Sequence, residues 1–364
     1  MKIRKTFFHL FCIGMSAIMP PKASAYDNSK FPQFDLQQPH RGFQNISIHP
    51  NDEEWLISEV GDKPYLLLYN LRTQKLQHFE TPGNYQYTFA AFSPNGEQIV
   101  MVRKEKLSGT QMSDRLNEIA NSELAIMNKD GSGFQVLPVP RGIIVIAAIS
   151  PDGKKIAYWL AKKIARPGSK VLVFDFDVRE FDLQTRSDKL FAGPFHFLEI
   201  SGINYLSDST LIVGAFGPSL KPGEAGEYAS KYNNSEIYRF QRDQLEIPLP
   251  IFSDRYFANN PTVDKEKNIY FVDYPEQFGQ SITKISFDGI ATSWRVPDLK
   301  GFGIYRLVAA RSGRYVALIY GGISAKLGKS KFSIAVFQTD QEIWSAVVLP
   351  SIETSSPIRV TPER

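Results

Sequence analysis

Cysteine is nearly missing from this sequence, and histidine and catalytic signatures are scarce. The 364 residues include one cysteine, Cys12, which excludes a disulfide framework and any multi-cysteine zinc site. Of five histidines, the four beyond residue 25 are His40, His49, His78 and His196, with no two at metal-ligand spacing. No G-x-S-x-G, H-E-x-x-H, Walker A or G-x-G-x-x-G pattern occurs; Gly322-Ile323-Ser324-Ala325-Lys326 fails the first of these at its last position. Beyond the N-terminus no window has the roughly 18 consecutive apolar residues that a spanning helix needs.

What is present is the composition of a globular chain, 43% hydrophobic and 22% charged, which excludes disorder and a collagen-like fibre. The first 25 residues read as a secretory signal. Met1-Lys2-Ile3-Arg4-Lys5 is a basic start, Phe7 to Met19 is a short apolar run, and Ala23-Ser24-Ala25 is an A-x-A cleavage site. Cleavage after Ala25 is expected, with a periplasmic or secreted destination. His9-Leu10-Phe11 before Cys12 lacks the small residues of a lipoprotein signal. The net charge of +4 belongs to this leader: removing Lys2, Arg4, Lys5 and Lys22 from 42 basic residues leaves 38 against 38 acidic ones. The global charge therefore says nothing about partners.

One turn signature recurs. Phe92-Ser93-Pro94-Asn95-Gly96-Glu97-Gln98-Ile99-Val100 and Ile149-Ser150-Pro151-Asp152-Gly153-Lys154-Lys155-Ile156-Ala157 both read as strand, tight turn, strand. Proline presets φ, Asn or Asp tolerates the next position, and glycine takes the positive φ that closes the reversal. Weaker copies lead into Trp55-Leu56-Ile57, Leu211-Ile212-Val213, Ile269-Tyr270-Phe271 and Tyr315-Val316-Ala317. The six copies begin near residues 49, 93, 150, 206, 263 and 310, a period that marks a repeat architecture. Third strands follow, such as Tyr65-Leu66-Leu67-Leu68-Tyr69 and Ile334-Ala335-Val336-Phe337, then turns such as Asn128-Lys129-Asp130-Gly131 and a fourth strand. Four antiparallel strands repeated six times predict an all-β fold, a six-bladed β-propeller of four-stranded antiparallel blades over 41–350. Residues 26–40 read as an N-terminal extension and 351–364 as a C-terminal tail; Phe31 to Gln38 is a candidate strand beside the last blade.

The pattern apolar-x-Phe/Ile-Ser-Pro-Asn/Asp-Gly-x-x-Ile-Ala/Val, followed by a strand and an Asp-Gly turn, resembles the WD40-like (PD40) repeat of TolB-like six-bladed propellers. It is good in blades two and three, partial in one and six, and poor in four and five. The resemblance implies the fold; the same repeat also occurs in the propellers of prolyl-oligopeptidase-like enzymes, so function has to be argued from sites. About 15 residues separate the cleavage site from the first blade and only Ser351 to Arg364 follows the last, so the propeller alone is expected, without the TolB N-terminal domain or a hydrolase domain.

In such a blade the second-to-third loops and the blade-to-blade connections emerge on one face, and the repeat turns on the other. The long insertions, about Arg103 to Ser122 and Phe216 to Asn234, fall on the first face, as do lysine-rich loops in blades three and six. Arg103, Lys104, Lys162, Lys163, Arg166, Lys329 and Lys331 are the candidate ligand or partner residues, and Ser113 to Ala120 reads as a short capped helix over the channel mouth. His196, in the connection to blade four, is the candidate for the central channel. Asp175, Asp177 and Asp182 alternate with apolar residues as in a half-buried strand, whose acids form a solvated face that cannot wrap calcium. No cofactor and no metal are expected. The reading is an exported, monomeric, non-enzymatic binding or scaffolding module for a cell-envelope protein or an anionic ligand, with nucleic acid excluded by the lack of any basic-aromatic cluster. The alternative is a small-substrate hydrolase or lyase with its site in the channel.

Overall fold

Each repeat turn is built by its own side chains. Ser93 donates its hydroxyl to Asn95 Oδ1 and accepts from the Gln98 amide, while Asn95 Oδ1 accepts from the Glu97 amide. Ser150 and Asp152 repeat the arrangement with Lys154 and Lys155. The backbone groups left over at the reversal are thus satisfied locally. The divergent copies reach the same end with other residues. Asp264 takes the serine's place and accepts from the Glu266 and Asn268 amides, and His49 Nδ1 accepts from the Asn51 amide. The positive φ passes to Asp52 (62°) and Lys267 (65°) where Gly96 (79°), Gly153 (72°) and Gly313 (73°) hold it in the better copies.

The computed structural model describes residues 42–60, 64–80, 83, 85–105, 122–165, 172–220, 235–251, 258–274, 280–296, 303–324 and 329–362. Blade one comprises β1 (Gly42–Ile48), β2 (Glu54–Val60), β3 (Tyr65–Asn70) and β4 (Leu76–Glu80). Blade two has β5 (Tyr85–Phe92), β6 (Gln98–Glu105), β7 (Ser122–Asn128) and β8 (Gln135–Val136). Blade three has β9 (Ile143–Ile149), β10 (Lys155–Ala165), β11 (Leu172–Asp182) and β12 (Ser187–Leu190). Blade four has β13 (Glu199–Ser207), β14 (Thr210–Phe216) and β15 (Ser235–Gln241). Blade five has β16 (Ala258–Val263), β17 (Ile269–Asp273), β18 (Ser281–Ile285) and β19 (Ala291–Arg295), and blade six has β20 (Gly303–Ala309), β21 (Tyr315–Ser324), β22 (Lys329–Gln338) and β23 (Ile343–Val347). Strand pairing within each blade is antiparallel and sequential, so the protein is an all-β, six-bladed propeller.

Two blades depart from four strands. In blade four, among the described residues, a single bridge between Tyr238 and Pro250 and the Ile251 amide on the Ile237 carbonyl (2.7 Å) stand where a fourth strand would pair. Blade one gains a fifth: β24 (Ser356–Arg359) pairs in parallel with β4. The expected C-terminal tail is therefore an outer strand, and it continues to blade two, where Phe134 N donates to Thr361 O (3.0 Å) and Thr361 N to Gly131 O (2.9 Å). At the repeat turns, blade six closes on blade one through the Asp52 carboxylate, which accepts from the Arg311 and Ser312 amides, and through Trp55 Nε1 donating to the Tyr315 hydroxyl at 3.1 Å. Phe31 to Gln38 and the capped helix at Ser113 to Ala120 lie outside the described residues.

The core lies between blades. The second and third strands are covered on both faces, which is why they read as apolar runs such as Leu66, Leu67 and Leu68. Trp55 and Trp159 are fully buried, and each finds its N–H partner in an adjoining blade, Tyr315 and the Gly202 carbonyl at 3.1 Å respectively.

Gly96 carries both a positive φ and a neighbour, since a Cβ there would lie 2.1 Å from His49 Nε2, whereas at Gly153 a Cβ meets nothing within 4 Å. Gly153→Ala is expected to cost only the left-handed backbone penalty, about 1–2 kcal/mol. Gly96→Ala adds the overpacking of His49, roughly another 1–3 kcal/mol. Urea unfolding of the two variants checks this; equal losses would mean that the His49 contact is not rigid.

Candidate binding surfaces and the central channel

Six inner strands, β1, β5, β9, β13, β16 and β20, surround a central cavity of about 450 Å³. Every one of them breaks register with its neighbour, β13 twice and the others once, at positions such as Gln44, Thr88, Ser201 and Tyr305. Bulges of this kind re-aim side chains. Here they coincide with side chains that reach into the next blade. Asn45 Nδ2 donates to the Ala90 carbonyl (2.7 Å) and Asn204 Nδ2 to the Pro261 carbonyl (2.7 Å). Ser47 accepts from the Phe92 amide and Thr262 from the Ala309 amide. The Pro261 ring packs where Cβ atoms on Gly202 and Gly214 would stand, 2.7 and 2.6 Å from its Cδ.

The basic residues singled out in the sequence are placed mostly in strands. Arg103 belongs to β6 and is 6% exposed; its guanidinium pairs with Glu123 at 2.8 Å and lies over the rings of Tyr85 (3.9 Å) and Phe134 (4.7 Å). It is a packing residue of blade two, not a loop cation, because β6 runs on through Glu105. Lys104 follows it in β6, opposite Ser122. Lys162 and Lys163 lie in β10, in register with Asp175 and Phe174 of β11; Lys329 and Lys331 lie in β22, in register with Ser324 and Gly322 of β21. These lysines thus ride on two strand hairpins lengthened to 11 and 10 residues per strand, rather than on loops. Arg166 lies outside the described residues.

His196 does not line the channel. Its stretch is stitched to the chain after β14, with the His196 and Ser219 amides each donating to the other's carbonyl at 2.9 Å. Its Nδ1 stands 2.8 Å from Asp175 Oδ2 and 3.2 Å from Asp177 Oδ1. Asp175 is buried at 6% exposure and Asp177 nearly so, which corrects the solvated face expected for these acids. The alternation was right, but the face it defines is covered by the connection entering blade four. Asp182 instead caps a turn, accepting from the Gln184 and Thr185 amides. Beside two carboxylates, Asp175 first, His196 has its pKa pushed from 6.5 up to about 9, so the contact is an ion pair at neutral pH.

No family model and no curated protein matches the sequence. Among solved structures, TolB from Acinetobacter baumannii superposes with a TM-score of 0.53 at 13% identity, covering 88% of this chain and 65% of TolB. The oligogalacturonate lyase of Vibrio parahaemolyticus superposes with a TM-score of 0.54 at 13% identity, covering 86% of this chain and 79% of the lyase. An oligogalacturonate lyase in complex with manganese gives 0.53 at 12% identity over 87% of this chain and 81% of that one. The fold is that of a TolB-type six-bladed propeller. At these identities the likeness is one of fold alone, and the chain spans about two thirds of that TolB's length. Among the described residues no helix is long and apolar enough to cross a membrane, and no group of three or more His, Cys, Asp or Glu could hold a metal ion.

Two features of this propeller give little or no signal in the sequence. Glu180 of β11 pairs with Arg242 and accepts from the Tyr205 hydroxyl (2.8 Å), a buried charged link between blades three and four. Arg306 lines the channel from β20, and its only signal in sequence is a lone arginine in Ile304-Tyr305-Arg306-Leu307-Val308 just ahead of a repeat turn.

The His196 ion pair should make stability depend on pH. Because the folded state raises the imidazole pKa above 6.5, the stabilisation is fully present below pH 6.5 and is lost as pH climbs through about 9. Wild type is expected to lose thermal stability relative to His196→Gln between pH 6.5 and 9.5. Melting curves across that range measure it, and parallel pH profiles for the two proteins would refute the pairing.

Proposed function

We propose that this protein is an exported, non-enzymatic binding module of the cell envelope, which presents two lysine-bearing hairpins to an acidic protein partner or an anionic ligand. The observation that carries the reading is the pair β10/β11 and β21/β22. Among the described residues they outreach the corresponding strands of the other blades, they belong to blades three and six on opposite sides of the ring, and their far ends hold Lys162, Lys163, Lys329 and Lys331. Both project from the face opposite the repeat turns, where a rigid scaffold would display them with little ordering cost. The signal-like N-terminus supports export. For the small-substrate alternative, the channel's described carboxylates offer little: Asp264 already accepts from two amides, Asn268 Nδ2 and the Tyr270 hydroxyl, and Asp208 accepts from the Asp152 amide.

Affinity recovery of tagged mature protein from its native envelope, with identification of the co-purifying species, tests the module. Lys162→Glu, Lys163→Glu and Lys329→Glu together should reduce partner recovery at least tenfold at low salt, in line with loss of several charge contacts. Undiminished recovery by the triple variant would overturn the hairpin assignment.

A further inference from the structure

The described Asp, Glu, Lys and Arg residues lining the channel are Arg306, Arg311, Lys265, Lys267, Asp208 and Asp264. The acids are the minority and are engaged: Asp264 holds its own turn, and Asp208 accepts from the Asp152 amide. Arg311 and Lys265 stand at the repeat turns of blades six and five, linked by the Lys265 amide on the Arg311 carbonyl (3.0 Å). Arg306 lies farther along β20 inside the ring. Its Nη1 donates to the Ser201 carbonyl (2.9 Å) and reaches Asn260 Oδ1 (3.4 Å), which ties three blades together at their bulges. Its Nε is buried without a hydrogen-bond partner, and the guanidinium carbon lies 5.8 Å from the centroid of the Tyr305 ring. No carboxylate is paired with it among the described residues, and burial, opposed only by Tyr305, draws its pKa down. A guanidinium removed from water and left without an anion is costly unless something supplies one.

We infer that the channel is a binding site for an oxyanion, a carboxylate or phosphate group of a ligand entering from the repeat-turn face, with Arg306 as the charge that receives it. Ser201 and Asn260 position the fork by occupying Nη1, which leaves the rest of the guanidinium to receive the incoming oxygen. Lys265 and Arg311 at the mouth give the approach a positive field. The site is separate from the lysine hairpins of the opposite face and stands or falls independently of them.

Titration of the mature protein with citrate and, separately, with inorganic phosphate, followed by calorimetry and by thermal melting at matched ionic strength, tests it. Wild type is expected to bind at least one of the two and to melt at higher temperature with it; which of the two binds tells carboxylate from phosphate. Arg306→Gln should weaken that binding at least tenfold while melting no lower than wild type without ligand, since it removes an uncompensated charge. Arg306→Lys should retain part of the affinity. The hairpin variant Lys162→Glu, Lys163→Glu, Lys329→Glu should bind the anion as wild type does. The inference is overturned if neither anion binds, if sodium chloride gives the same melting shift, or if Arg306→Gln melts several degrees lower yet binds the anion unchanged, which would make Arg306 purely structural.

Discussion

The constraint on which the rest of this propeller depends is that its inner strands converge without pairing to one another. Six strands meet around the channel, and within each blade the inner strand has a hydrogen-bonded neighbour on one side only. The backbone groups on the other side must be satisfied or wetted. Bulges and side chains from the adjoining blade do this: Asn45 to Ala90, Ser47 to Phe92, Asn204 to Pro261 and Thr262 to Ala309 each carry a polar side chain across a blade boundary. Polar residues on inner strands are therefore structural first. Asparagines in a propeller channel do not by themselves indicate a ligand, because two of the channel asparagines spend their Nδ2 donors on a carbonyl of the next blade.

The same logic explains how far the sequence could be read. The repeat turn is a local device, closed by residues within six positions of one another, so Ser93-Pro94-Asn95-Gly96 and its copies announce their geometry without reference to the rest of the chain. From them the number of blades, the inner and second strands and the turn face follow. Even the poor copies are legible once the requirement is stated physically: an acceptor at the first position and a residue that takes positive φ, whether Gly96, Asp52 or Lys267. Nothing local announces β24. Ser356 to Arg359 is a short stretch with one proline and alternating burial, and its partner β4 lies more than 270 residues away, so the parallel pairing that completes blade one is a tertiary fact. That the described residues of blade four show only a bridge where a fourth strand would pair is likewise a matter of what Pro248 and Pro250 cannot donate.

Charged side chains were the least legible, and the failures share one cause. Sequence tells the sign of a charge but not the face it lands on. Arg103 looked like a loop cation and is instead laid over two aromatic rings against Glu123, its cross-strand register partner. Asp175 and Asp177 looked solvated and meet His196 across a blade boundary. Arg242 reaches back to Glu180 and covers Phe191 at 5.0 Å. In each case the pairing becomes visible only when strand register or blade order is known. Arginine can exploit such sites because its planar guanidinium stacks on rings and offers several donors in a fixed fork.

Seen beside those arginines, Arg306 differs in one respect that matters. Arg103, Arg179 and Arg242 are each matched by a carboxylate, Glu123, Asp188 and Glu180. The fold can thus supply an acid to a buried guanidinium when stability is all that is required, and it does so three times. At Arg306 it supplies a carbonyl and an amide oxygen, neutral acceptors that fix orientation without cancelling charge. A purely structural residue in that position would be better served by an acid across the channel or by an uncharged side chain. Leaving the charge whole inside the ring, on a channel wall made largely of protein, concentrates positive potential there, and a focused field of that kind draws anions.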